Sequence, residues 1–238
     1  MRQGCFYILF EMPASPPTGE SRPLPATARG QRARAQIVDA AATLMYQNGA
    51  STTSLDDVLA AAGAGKGQMY HYFDGKADLV AAVIERQLEL VLAAQQPELD
   101  HTDSWEGIQA WMAGILRAQS RGGGPFGCPL GTIAAELKND ETFRPSLDAA
   151  FARWEAPLAR GLQAMKDRGE LVSDASPARL AAMVIAALQG GMLLARVRGD
   201  VTVLRDALDG AVTELRRWAA APKPVNPAAV RHRPRRTR

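Results

Sequence analysis

Between Asn48 and Lys76 the chain is punctuated so closely that little besides two short helices and a tight turn can fit. Ser54 and Asp57 stand in the S-x-x-D relation of a capping box, just ahead of Leu55, Val58, Leu59 and Ala62, which share one helical face. Gly63 stops that helix after about two turns. Lys66 to Phe73 make a second short helical segment, and Asp74-Gly75-Lys76 starts another. Upstream, Ile37, Ala41, Leu44 and Met45 recur at i, i+4, i+7 and i+8, which predicts a helix from about Gln31 to Asn48, with Gly49 placed to end it. Three helices with a glycine turn between the second and third make a helix-turn-helix.

The same glycines invite a different reading. AAAGAGKGQMYHYFDGK, residues 60 to 76, could be a loop that cradles nucleotide phosphates. A P-loop requires G-x-x-x-x-G-K-[ST] after a strand. Aligned on Gly65-Lys66, its first glycine is Ala60, its hydroxyl is Gly67, and the preceding SLDDVLAAAG reads as a helix. A small NTP-binding enzyme built on GAGKG is therefore a remote alternative. In a helix-turn-helix the stretch has a direct use, because the second short helix enters the major groove and its first residues face base edges. Gly65 and Gly67 allow close approach, Lys66 reaches a phosphate or a guanine, and Gln68 matches the donor and acceptor pair of an adenine. Tyr70 and His71 lie about one turn further on. Lys76 opens the next helix, where backbone N–H groups and an ammonium suit a phosphate. The DNA-facing set expected is Thr53, Ser54, Gly65, Lys66, Gly67, Gln68, Tyr70, His71 and Lys76. Met69, Tyr72 and Phe73 read as core.

Abundant alanine and scarce β-branched runs favour an all-α fold, and 238 residues can bury a sizeable core. No apolar stretch reads as long enough for a membrane span and CFYILF, residues 5 to 10, is too short for a signal segment, so a cytoplasmic protein is expected. Two cysteines make no disulfide framework, and His71, His101 and His232 share no ligand spacing, so neither a metal nor a cofactor is expected. The net charge of +3 misleads until it is located: residues 221–238 hold six basic residues and no acid. The rest carries 22 basic against 25 acidic residues. That tail reads as a solvated end or as an auxiliary, non-specific DNA contact. With five prolines in residues 1–28, both ends read as disordered. The expected organisation is an N-terminal extension (1–28), a helix-turn-helix domain (29–78), a helical ligand-binding and dimerisation domain (79–220) and a basic tail (221–238).

The run from Gln31 to Val80 resembles the DNA-binding domain of TetR-type transcriptional regulators, with Ser54, Val58, Ala62, Gly63, Gly67, Tyr70, Tyr72, Phe73, Lys76 and Leu79 at that pattern's anchor positions. It departs at Leu59, where a small residue is usual, and at Gly65, where Ser or Thr usually caps the reading helix. Glycine still serves as an N-cap. GCPLGTIAAEL (127–137), FARWEAPLARGLQAMKDRGEL (151–171) and LAAMVIAALQGGMLLARV (180–197) resemble the C-terminal domain of the LmrA- and YxaF-like branch. The resemblance implies a homodimer that binds operator DNA, responds to a small-molecule inducer and catalyses nothing.

Two late stripes support the dimer: Leu180, Val184, Ala187, Leu188, Gly191, Leu194 and Ala195, then Leu204, Leu208, Ala211, Val212 and Leu215. Val184, Leu188, Gly191, Leu208, Val212 and Leu215 are the expected interface, as in four-helix packing about a two-fold axis. Trp111, Ile115, Phe126, Cys128, Phe151 and Trp154 are the expected ligand contacts, aromatic residues gathered near the irregular GGGPFG segment. Pro157 suggests a kink that opens space. Cys128 begins a helix, where the macrodipole favours a thiolate, so an electrophile sensor stands beside a reversible pocket for an aromatic inducer.

Overall fold

The computed structural model describes residues 24–122, 124 and 127–221. Within them the fold is all α. Helix α1, Ala28–Asn48, begins three residues earlier than its periodicity predicts because Thr27 caps it, the Thr27 hydroxyl accepting from the Gly30 N–H at 3.1 Å. The Gln31 amide also donates to the Pro25 carbonyl at 3.1 Å. Residues 24–28, assigned above to a disordered extension, are thus the built lead into α1. Residues 1–23 and the basic tail from 222 lie outside the described residues.

Helix α2, Leu55–Ala62, and helix α3, Lys66–Tyr72, are joined through Gly63, whose φ of 61° is left-handed and suits glycine. Helix α4, Lys76–Ala93, follows, so the boundary expected after residue 78 falls inside a continuous helix. A 3-10 turn at Glu98–His101 leads to α5, Trp105–Gln119, α6, Pro129–Leu137, and α7, Arg144–Asp167, which runs through Pro157. Two long helices close the chain: α8, Pro177–Arg198, and α9, Thr202–Arg217. A single bridge pairs Leu171 with Ala219.

One hydrophobic core runs through the bundle. Met69 and Phe73 from α3's inner side join Ile37, Val38 and Ala41 of α1 in it, as the sequence predicts. Burying each such side chain stabilises by roughly 1.5–3 kcal/mol, which holds a seven-residue helix that could not persist alone. Helix α4 packs on α1, α6 and α7, linking the N-terminal helices to the rest. Helix α8 packs between α7 and α9. A Cβ on Gly191 would lie 2.8 Å from Leu204 Cδ1 and 3.1 Å from Ala207 Cβ, so that glycine sets how near α9 approaches.

This corrects two expectations. By length and composition α8 is apolar enough to cross a membrane, contrary to the sequence reading. It spends one face instead on the bundle interior. Val184, Leu188, Gly191, Leu208 and Leu215 are buried, and Val212 half-buried, within one protomer, where α8 packs on α7 and α9. Beside the exposed Arg179, Arg196 and Arg198, α8 leaves an apolar stripe outside, Ala186, Gly190, Leu193, Leu194 and Val197, with Leu193 63% and Val197 75% exposed.

Candidate nucleic-acid interface

The start of α2 is fixed by reciprocal hydrogen bonds. The Asp57 N–H donates to Ser54 Oγ at 3.1 Å, while the Ser54 N–H and hydroxyl donate to Asp57 Oδ2 at 3.2 and 2.6 Å. Those bonds hold the Asp57 carboxyl below the usual carboxylate range. Ser54 is therefore exposed but occupied. Thr53 differs from its expected role: it is buried, and its hydroxyl donates to the Gly49 carbonyl at 2.7 Å. A β-branched hydroxyl near a helix end finds a backbone acceptor more readily than a distant phosphate.

Helix α3 stands as a ridge. Lys66, Gly67, Gln68, Tyr70 and His71 are exposed, Tyr72 is half-buried, and Met69 and Phe73 face inward. Arg34 of α1 lies over the Phe73 ring, 4.9 Å from its centroid. Gly65 caps α3 with extended backbone and no side-chain hydrogen bond. A Cβ on Gly65 or Gly67 would meet nothing within 4 Å. Nothing inside the protomer requires glycine there. On the α1 side of the ridge is a cleft of about 360 Å³ between Arg29, Gly30 and Ala33 and the side chains of Gln68 and His71. On the α2 side a second, of about 310 Å³, is bounded by Leu55, Asp56, Lys66 and Tyr70. Lys66 Nζ lies 3.1 Å from Asp56 Oδ1 across it.

Lys76 is half-buried at the first turn of α4 and donates to the Ser51 carbonyl at 3.4 Å. The turn it touches is also held from below. Glu136 of α6 accepts from the N–H groups of Ala50 and Ser51 at 2.7 and 2.6 Å and from the Ser51 hydroxyl at 2.5 Å. Burial pushes that carboxyl up, but the Ser51 and Ala50 hydrogen bonds, with the nearby Lys76 charge, outweigh it and leave it lowered. At the other end of α6 the Tyr46 hydroxyl donates to the Gly127 carbonyl at 3.2 Å and accepts from Arg196 at 3.0 Å.

Three of the expected ligand residues, Trp111, Phe151 and Trp154, come together, but as packed core. Trp111 and Trp154 are buried core, and both indole N–H groups donate to one acceptor, Gln95 Oε1, at 2.9 and 3.2 Å. Phe151 stacks on Trp154 with centroids 6.2 Å apart, and Ile115 is buried. Phe126 lies outside the described residues. Cys128 caps α6, but it is buried, and burial pushes its thiol up, outweighing the hydrogen bonds from Gln189, Gly131 and Leu130. The helix-end thiolate expected from the sequence is overturned by desolvation, and the sensor reading loses its support. The NTP reading falls too, since Gly65-Lys66 follow a helix and begin another. Among the described residues no group of three metal-ligating side chains assembles.

Sequence reasoning missed Asp56, Arg29, Gln95 and Glu136. Asp56 and Arg29 carry a charge in the first turn of α2 and α1, a signal present in the sequence, but only the fold brings them beside α3. Glu136 and Gln95 act on partners 85 and 16 or more residues away and carried none.

The family model described as bacterial regulatory proteins, tetR family, matches residues 37–83, and that described as transcriptional regulator LmrA/YxaF-like, C-terminal domain, matches 104–209. An uncharacterized HTH-type transcriptional regulator in the lacX 3' region of Lactococcus lactis is 31% identical over 73% of this chain and 88% of its own length. The chain belongs to the TetR family. The HTH-type transcriptional regulator LmrA of Bacillus subtilis is 28% identical over 72% of this chain and 90% of its own. A TetR-family regulator from Cytophaga hutchinsonii shares the fold with a TM-score of 0.70 at 19% identity, over 84% of this chain and all of that one. As a TetR regulator the chain binds DNA, and its work is regulation rather than catalysis; α2 and α3 lie wholly within residues 37–83.

Proposed function

We propose that this TetR regulator is a homodimeric repressor that places α3 of each protomer in the major groove of a palindromic operator and leaves it when a small apolar or aromatic molecule enters the helices after residue 79. The observation that carries the reading is the outward ridge of α3, with Lys66, Gln68, Tyr70 and His71 exposed and two glycines facing open space. Lys66 and Tyr70 serve phosphates and Gln68 reads a base. Arg29, across the cleft from His71, extends the phosphate contacts to the start of α1.

The dimer forms through the exposed side of α8. Ala186, Gly190, Leu193, Leu194 and Val197 follow one another at helical spacing, small residues first and large apolar ones after, so that two copies cross closely at Gly190. An apolar stripe of this kind at an exposed helix marks an interaction site. Residues 29–78 then act as the reading head and residues 79–220 as the dimerisation and ligand-binding part.

Fluorescence anisotropy with a labelled duplex from the gene's own upstream region tests the reading. Expected is binding by a dimer or pair of dimers, falling steeply as salt rises and lost when the half-sites are scrambled. Binding indifferent to both would refute it.

A further inference from the structure

Helix α6 grips the far end of α1 at two points. At one, Tyr46 bridges Gly127 and Arg196. At the other, Glu136 collects both N–H groups and the hydroxyl of Ala50-Ser51. The turn it holds is shaped for this. Gly49 has φ of 95°, and a Cβ there would lie 3.3 Å from a Glu136 oxygen. The turn's carbonyls are engaged from elsewhere, Gly49 by Thr53 and Ser51 by Lys76. Three residues on, Ser54 starts α2, and α2 carries α3.

We propose that Glu136 is the positioning residue that fixes the helix-turn-helix against the C-terminal helices, its carboxylate holding the Ala50–Ser51 turn so that the attitude of α3, and with it operator affinity, depends on where α6 lies. A carboxylate is the one side chain that suits the site, because every group aimed at it is a donor. Glutamine would turn its NH₂ toward the Ala50 N–H or the Ser51 pair, leaving one side without an acceptor. Glu136 itself stays largely exposed, so water moderates the loss without replacing the geometry. The inference rests on α3 as the reading helix.

The test compares full-length Glu136→Gln, Ser51→Ala and the double variant with wild type, on the operator and on a scrambled duplex, alongside thermal melting and amide exchange. Expected for Glu136→Gln is operator binding weaker by roughly three- to tenfold, following the loss of charge-assisted hydrogen bonds. Scrambled-duplex affinity and salt slope should stay near wild type, because Glu136 does not approach the phosphates, and Ala50 and Ser51 amides should lose protection. Ser51→Ala, a milder change that leaves both backbone N–H groups in place, should weaken operator binding by less and add little to Glu136→Gln. Operator affinity within twofold of wild type overturns the proposal, as does a loss shared equally by both duplexes and matched by a lower melting temperature. If wild-type protein itself shows no preference for the operator, the reading of α3 fails and this inference with it.

Discussion

Asp56 offers the sharpest probe of which surface meets DNA. Its carboxylate lies 3.1 Å from the Lys66 ammonium, and both side chains are nearly three-quarters exposed. In bulk water two unit charges at that separation attract by about 1.3 kcal/mol, and screening and side-chain ordering reduce an exposed pair to about 0–1 kcal/mol. A phosphate that takes Lys66 must displace or share that attraction. It also lies on the order of 6 Å from the acid, where repulsion is about 0.7 kcal/mol before salt roughly halves it. Asp56→Asn removes both costs, so DNA affinity should rise by about 0.5–1.5 kcal/mol, roughly two- to tenfold. The gain should appear on any duplex, because phosphates carry no sequence, and the salt slope should steepen by up to about 0.9. Anisotropy titrations between about 50 and 200 mM salt read both quantities. Asp56 also stands in the first turn of α2, so its removal weakens a favourable dipole contact, and melting must be measured beside binding. Unchanged affinity and slope in a fully folded Asp56→Asn protein would show that Lys66 does not sit at the phosphates.

Other outcomes follow from the same geometry. Tyr70→Ala should weaken binding equally across operator variants, whereas Gln68→Ala should relax one base position by about 1–3 kcal/mol, read from affinities for a set of single-base variants. Cys128 should react slowly with iodoacetamide while folded and rapidly once denatured, because burial disfavours its thiolate. Cys128→Ser should therefore keep any release from DNA by an aromatic ligand. Leu193→Asp with Val197→Asp should yield folded monomers by light scattering that no longer hold the operator. The lowered Glu136 carboxyl adds stability that is complete above the ordinary glutamate range and lost as pH falls through its lower folded value, so the stability gap between wild type and Glu136→Gln, measured by urea unfolding, should narrow as pH falls below that range.

Local chemistry was legible in the sequence where local chemistry decides structure. Ser54 and Asp57 announce the start of α2, Gly63 its end, and Met69 and Phe73 the inner side of α3, because each depends on neighbours within one turn. Periodicity likewise gave the apolar faces of α8 and α9, but it cannot say which neighbour covers a face. Val184 and Leu215 are buried within their own protomer, and the outward stripe of α8 is visible only in the folded bundle. The reactive-thiol alternative at Cys128 shows the same limit: a helix-end dipole can be read from sequence, while desolvation depends on what packs above. The Trp residues were legible as a cluster but not as hydrogen-bond donors, since Gln95 reaches them from the end of another helix.

The shared acceptor at Gln95 gives the molecule a built-in optical gauge. All four tryptophans, at 105, 111, 154 and 218, lie beyond the reading head, and two of them are tied to a residue just past the end of α4. Helix α4 is an 18-residue rod, about 27 Å long, that begins at Lys76 beside the Ala50–Ser51 turn. DNA has no indole to quench at its own contact surface. A shift in emission colour during a DNA titration would therefore report movement carried away from the reading head, along α4 to Gln95 or through the α6 contacts with α1, without a label.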